Sequence, residues 1–146
     1  MKTFKSLLLL LGAILLVGCG RSTTPQTSSV AVSALPPCAN VSTSISRPPE
    51  FPSDFPLPDN TVITSSQHSQ GGSVTISAAA PVTFKDAAAF FQNKLPAAGY
   101  KLLEGDAEMD EAESTFAGNG YQGKWKINGI LNCPKAVRLT IAIAKT

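Results

Sequence analysis

One histidine and one tryptophan occur in 146 residues, and only 15% of the residues carry a formal charge. These scarcities exclude several kinds of chemistry. A nucleophilic triad would need His68 held between a serine and a carboxylate. The stretch "SSQHSQGGS" supplies serines, but it reads as a hairpin loop that leaves His68 in solvent. No nucleophile elbow, phosphate-cradling glycine loop or paired metal motif occurs. Cys38 and Cys133 lie far apart in the chain, and with a single histidine they do not have the spacing of zinc ligands. Charge of one sign is also missing. Twelve basic residues face ten acidic ones, and without Lys2 and Lys5 the two are equal. A nucleic-acid partner needs a clustered basic footprint, so none is expected. No apolar run reaches the roughly 20 residues of a comfortable membrane span.

What is present begins at the amino terminus. Lys2 and Lys5 form a short positive region, and Ser6 to Val17 is an apolar run built around Leu7 to Leu11. Its length and flanks read as an export signal, with an uncleaved anchor helix as the alternative. The run closes on Leu16-Val17-Gly18-Cys19. This tetrad resembles the lipobox of bacterial lipoproteins. The resemblance implies cleavage after Gly18 and a thioether-linked diacylglycerol on Cys19, the first mature residue. Two or more acyl chains make a stable anchor where one is marginal. An ordinary secretory signal with an incidental cysteine is the rival. Gly20 stands where an Asp would resemble an inner-membrane retention signal. Its presence favours the outer membrane in a Gram-negative host, and otherwise the outer face of the cell membrane.

Residues 1–18 are therefore read as a signal peptide, 19–50 as a lipidated tether and 51–146 as the folded domain. The tether is rich in Ser, Thr and Pro and has little to bury, so it is expected to stay largely disordered. Prolines 52, 56 and 58 set an extended lead-in. Strand character follows over Thr61–Gln67 and Ser73–Ala79, around a turn at Gly71-Gly72. Thr83 and Asp86 resemble a capping box. Phe84, Ala87, Ala88, Phe91 and Leu95 recur at helical spacing, which predicts a helix over about 84–95. A strand begins at Tyr100–Leu103, and strand character returns at Glu113–Ala117, Tyr121–Gly129 and Ala136–Ala144. The expected class is α+β in the order β-β-α-β-β-β, with one helix packed on one face of a mainly antiparallel twisted sheet. That order counts three strands after the helix, although four segments carry strand character.

The segments "PSDFPLPDNTVI" and "FFQNKLPAAGYKL" and the last alternating strand resemble a small domain that recurs in bacterial lipoproteins and other exported proteins. The resemblance implies a fold and no catalytic residues. The acidic stretch over 104–113 and the two further cysteines depart from it.

An exported setting favours oxidised cysteines. A Cys38–Cys133 disulfide is expected, clipping the tether to one end of the sheet, with free thiols or an intermolecular bridge as alternatives. In "EGDAEMDEAE", Glu104, Asp106, Glu108 and Asp110 alternate, so on a strand they would share a face. This spacing makes them a weak calcium candidate. An EF-hand is excluded because its sixth-position Gly falls on Met109 or Glu111 and its twelfth-position carboxylate on Thr115 or Ala117. The other reading is a solvated hairpin face, paired with Lys124 and Lys126. Tyr121 and Trp125 are a candidate ligand platform, although alternate positions facing with Ile127 also suit the core beneath the helix. No cofactor is expected, and a monomeric domain is. The leading functional expectation is a lipid-anchored extracytoplasmic binding module without enzymatic activity. Next stands an accessory part of an envelope assembly, docking through the outer sheet face, and a hydrolase comes third.

Overall fold

A computed structural model describes residues 34–146. Its elements are a 3-10 turn at Pro37–Ala39, β1 (Val62–His68), β2 (Val74–Ala80), α1 (Phe84–Ala97), β3 (Lys101–Ala107), β4 (Glu111–Gly118), β5 (Tyr121–Gly129) and β6 (Val137–Lys145). This is an α+β fold with one helix and one sheet. The sheet has six strands in the order β1-β2-β6-β5-β4-β3, and every neighbouring pair is antiparallel. Four strands follow the helix, so the expected order β-β-α-β-β-β is corrected to β-β-α-β-β-β-β. All four segments with strand character after the helix form strands, and β3 runs on past Leu103 through acidic residues to Ala107. It does so by pairing with β4 through a register shift between Leu102 and Gly105. A Cβ at Gly105 would lie 2.8 Å from the Glu113 carbonyl oxygen, so the close approach at this bulge requires glycine.

The helix starts where the Thr83 hydroxyl accepts from the Asp86 N–H and donates to the Asp86 carboxylate. The cap satisfies one of the free N–H groups of the first turn. Pro96 falls in the last turn, and the helix continues past Leu95 to Ala97. Gly99 then adopts φ +88°, and the Tyr100 N–H returns to the Leu95 carbonyl. The chain thus leaves the helix by a left-handed step that glycine makes at low cost.

Ala87, Phe91 and Leu95 face the sheet and share one buried cluster with Val74, Ile76, Ile127 and Ile141. Phe91 stacks on Trp125 with centroids 5.2 Å apart and planes at 14°. The proline-rich lead-in belongs to the same core. Phe51 and Phe55 are buried, and Phe55 packs on Tyr100 and Phe116. The Arg47 guanidinium ties this loop by donating to the carbonyls of Pro52, Ser53 and Phe55. It also lies over the Phe51 ring. Burial lowers the Arg47 pKa from its ordinary value, against the opposing pull of Asp54.

The opposite face of the sheet has a second, smaller cover. Leu35 and Ala39 are buried with Val62, Ala79, Cys133 and Ala136, and the Ile45 N–H donates to the Ile63 carbonyl. From residue 34 onward the segment read as a free tether is therefore a strap laid across β6, β2 and β1. Too little apolar surface is available in it to fold alone. What holds it is the sheet beneath and a covalent tie.

Candidate functional site

That tie is the Cys38–Cys133 disulfide, with Cα atoms 5.4 Å apart. Cys133 is fully buried. It sits in a tight link in which its N–H donates to the Ile130 carbonyl and its carbonyl accepts from the Ala136 N–H. The disulfide expected from the sequence is thus present and fixes the strap to one end of the sheet. Cys19, the residue expected to carry the lipid, lies outside the described residues.

The rest of the outer face is open. On it, Lys124 pairs with Glu113, and Lys126 pairs with Glu111 at 2.7 Å. Asn128 adds a donated hydrogen bond to Glu111. Directly opposed residues are Lys126 with Glu113 and Lys124 with Thr115, so both ion pairs run diagonally across the β4–β5 ladder. Hydrogen bonding from Lys126, then from Asn128, holds the Glu111 carboxyl below its usual range and raises the Lys126 pKa in return. The expected pairing of these lysines with the acidic stretch over 104–113 is thus met by its last two carboxylates, Glu111 and Glu113, because the 111–118 strand lies between β5 and β3.

Glu104, Asp106, Glu108 and Asp110 are all exposed. The bulge breaks the alternation that would have aligned them, and Glu108 and Asp110 belong to the β3–β4 turn. Among the described residues, no three His, Cys, Asp or Glu side chains gather as metal ligands would. The calcium candidate is therefore not assembled. The platform candidate is corrected as well. Trp125 is only 2% exposed and Tyr121 is partly buried against the core, so the two do not present a joint open platform. The Trp125 indole Nε1 is buried without a partner, an arrangement that costs about 1–3 kcal/mol. His68 is exposed at the end of edge strand β1, as a solvated histidine.

Above the ion pairs lies an open depression of about 410 Å³, lined by Leu103, Ala117, Gln122, Lys124, Ala142 and Ala144 among others. Its floor is mostly small and apolar because Ala117 of β4 and Ala142 and Ala144 of β6 occupy outward positions on either side of β5. A second hollow of about 280 Å³ runs between the strap and the sheet, with Asn40, Thr43, Thr64 and Arg138 in its walls. A third, about 370 Å³, lies beside β3, between Gln92 of the helix and Ser114. Size puts the first and third within the usual range for ligand pockets, but convergent polar groups are what give such pockets specificity. The polar side chains lining the first are Ser73, Thr115, Gln122 and Lys124, and its other lining residues are apolar or glycine. This geometry suits contact with another surface better than capture of a small polar molecule.

The sequence reading placed the clip at Cys38 but missed the packing of Leu35 and Ala39 on the sheet around it. It also missed Tyr100, which is fully buried. Its hydroxyl lies 3.4 Å from Asp54, and burial raises its pKa above the ordinary phenol value. Comparison of the chain with family models, with curated proteins and with solved structures found no match in any of the three.

Proposed function

We propose that the protein is a lipid-anchored, extracytoplasmic binding or interaction module without enzymatic activity. One sequence feature carries the reading: Leu16-Val17-Gly18-Cys19 closes an apolar signal run behind Lys2 and Lys5. The Cys38–Cys133 bond supports it, since disulfides persist in oxidising compartments and are rare where thiols are kept reduced. In this reading Cys19 holds the lipid, the next residues form a short link, and the helix and sheet form a two-layer body. Mass spectrometry of the mature protein tests it. The expected amino-terminal peptide starts at acylated Cys19, and Cys19→Ala leaves the protein unacylated and released from membranes. A mature protein with an unmodified Cys19 overturns the reading.

The open depression favours a second, narrower reading: an accessory component of an envelope assembly, docked through the outer sheet face. A photo-crosslinking residue at Gln122, on the depression's rim, then gives one discrete adduct in native membranes. The same residue at Asn93, exposed on the helix on the other side of the sheet, gives none. Equal labelling from both positions removes this reading.

A further inference from the structure

The two most exposed large hydrophobic side chains in the described chain are Met109 at 95% and Leu131 at 89%. A lone exposed hydrophobe on a surface is ordinary. These two share one end of the molecule. Met109 is the tip of the β3–β4 turn, and Leu131 lies in the β5–β6 link. The Gly129 N–H donates to the Asp110 carbonyl at 2.7 Å, which joins the two tips side by side.

Both tips are held from below. The Glu108 N–H donates to the Glu111 carbonyl across the first turn. In the second, Leu131 stands between Ile130, packed against the strap cluster, and Asn132, in the left-handed region ahead of buried Cys133. Little ordering cost would accompany a contact, because the backbone is already set.

The same end is where the chain departs toward its amino terminus. Leu35 and Cys38 are fastened to Cys133 and Ala136. Only residues 19–33 separate that point from Cys19, and at about 3.5 Å per residue they cannot extend beyond about 50 Å. The disulfide therefore shortens the reach of an anchor at Cys19, since the strap beyond residue 34 is fixed to the body.

We propose that this end rests on a lipid surface, with Met109 and Leu131 entering the headgroup region of a zwitterionic bilayer. The proposal rests on the lipid-anchored reading. The occupant is lipid because the anchor holds the two tips beside a bilayer, and a contact confined in this way needs little affinity of its own. The lipid is zwitterionic because the flanking exposed charges are mixed, with Glu108 and Asp110 beside one tip and Lys135 near the other. Such an end gains little from an anionic surface.

The test uses the mature chain purified from membranes and reconstituted in phosphatidylcholine vesicles with acyl-chain-brominated lipid. Met109→Trp, Leu131→Trp and the far-end control Gln70→Trp are compared, each against unbrominated vesicles. Trp125 is buried and adds the same background to all three. Mass spectrometry of the same preparations reports acylation of Cys19 separately. On acylated protein, emission from both tips is expected to shift to the blue and to fall roughly twofold on bromination, as for side chains in the interfacial layer, while Gln70→Trp is unchanged. Quenching at neither tip, at one alone, or at all three positions alike overturns the proposal while leaving the anchor intact. Absence of acylation overturns the anchored reading and this proposal together.

Discussion

The two faces of the sheet are covered by different means. Over the inner face lie a capped helix and a proline-rich loop carrying Phe51 and Phe55, and the shared cluster is large and aromatic. Over part of the outer face lies a strap whose cluster contains only Leu35, Ala39, Val62, Ala79, Cys133 and Ala136. Burial stabilises by roughly 25 cal/mol per Å² of apolar surface. The inner cover can therefore hold by packing alone. For the outer one, the loss of chain entropy on ordering exceeds what its few small side chains return. A cross-link that restricts the unfolded chain compensates.

The contrast is sharpest at Phe91 and Trp125, which stack at the centre of the inner layer. Phe91→Ala is expected to lower unfolding free energy by about 3–5 kcal/mol, read from denaturant unfolding. A change under about 1 kcal/mol would mean that the helix is not what closes this face.

Cys38→Ser with Cys133→Ser comes next. The bond closes a loop spanning most of the described chain, for which the chain-entropy relation gives roughly 4.7 kcal/mol at most. Location matters more than size in this comparison. Hydrogen exchange should accelerate first at the Ile45 amide, which donates to Ile63, while amides of β5 and β6 keep their relative protection. If both faces lose protection together, the strap and the core are one cooperative unit, and the distinction between the covers fails.

Arg47 joins the two regions, since the strap passes through it into the aromatic loop. Arg47→Ala removes donors from three carbonyls and is expected to cost about 1.5–3 kcal/mol. All three carbonyls accept from the single Nη1 atom, so Arg47→Lys should recover part of this and lose the planar guanidinium over the Phe51 ring. Full recovery would show that a point charge alone holds the loop.

The smallest effect belongs to the open outer face. The Glu111 pKa is lowered in the fold, so the pair's contribution is present above the unfolded-state carboxylate pKa and fades as pH falls through the lower folded value. The pair is solvent-exposed and such pairs contribute little. Glu111→Gln is accordingly expected to leave the unfolding midpoint unchanged within error. An NMR titration should still find the Glu111 midpoint below that of an ordinary glutamate.

Much of the fold was legible in local pattern. The alternation over 121–129 and 136–144 and the spacing of Phe84, Ala87, Phe91 and Leu95 each reported a buried face. β3 was legible only to Leu103. Its continuation through Glu104 to Ala107 is exposed in every residue, so no apolar periodicity could mark it, and pairing with β4 alone makes it a strand. In the acidic stretch the solvated hairpin face was legible, and only the weak calcium candidate fails: alternation aligns side chains only in a regular strand, and a bulge shifts them. Tyr121 and Trp125 show the reverse. Their shared face with Ile127 was visible, but only the position of the helix decided that this face was the core.

By itself the sequence determined which segments could pair or coil, that basic and acidic residues balance once Lys2 and Lys5 are set aside, and that an apolar run ends on Leu16-Val17-Gly18-Cys19. These follow from side-chain chemistry and spacing along the chain. Only the tertiary structure decided that the strap packs along the sheet from residue 34 onward, that β4 lies between β5 and β3, and that Met109 and Leu131 share the end where the chain departs. Each of those depends on residues distant in sequence meeting across the sheet, and such meetings are set by strand order, which local pattern does not encode.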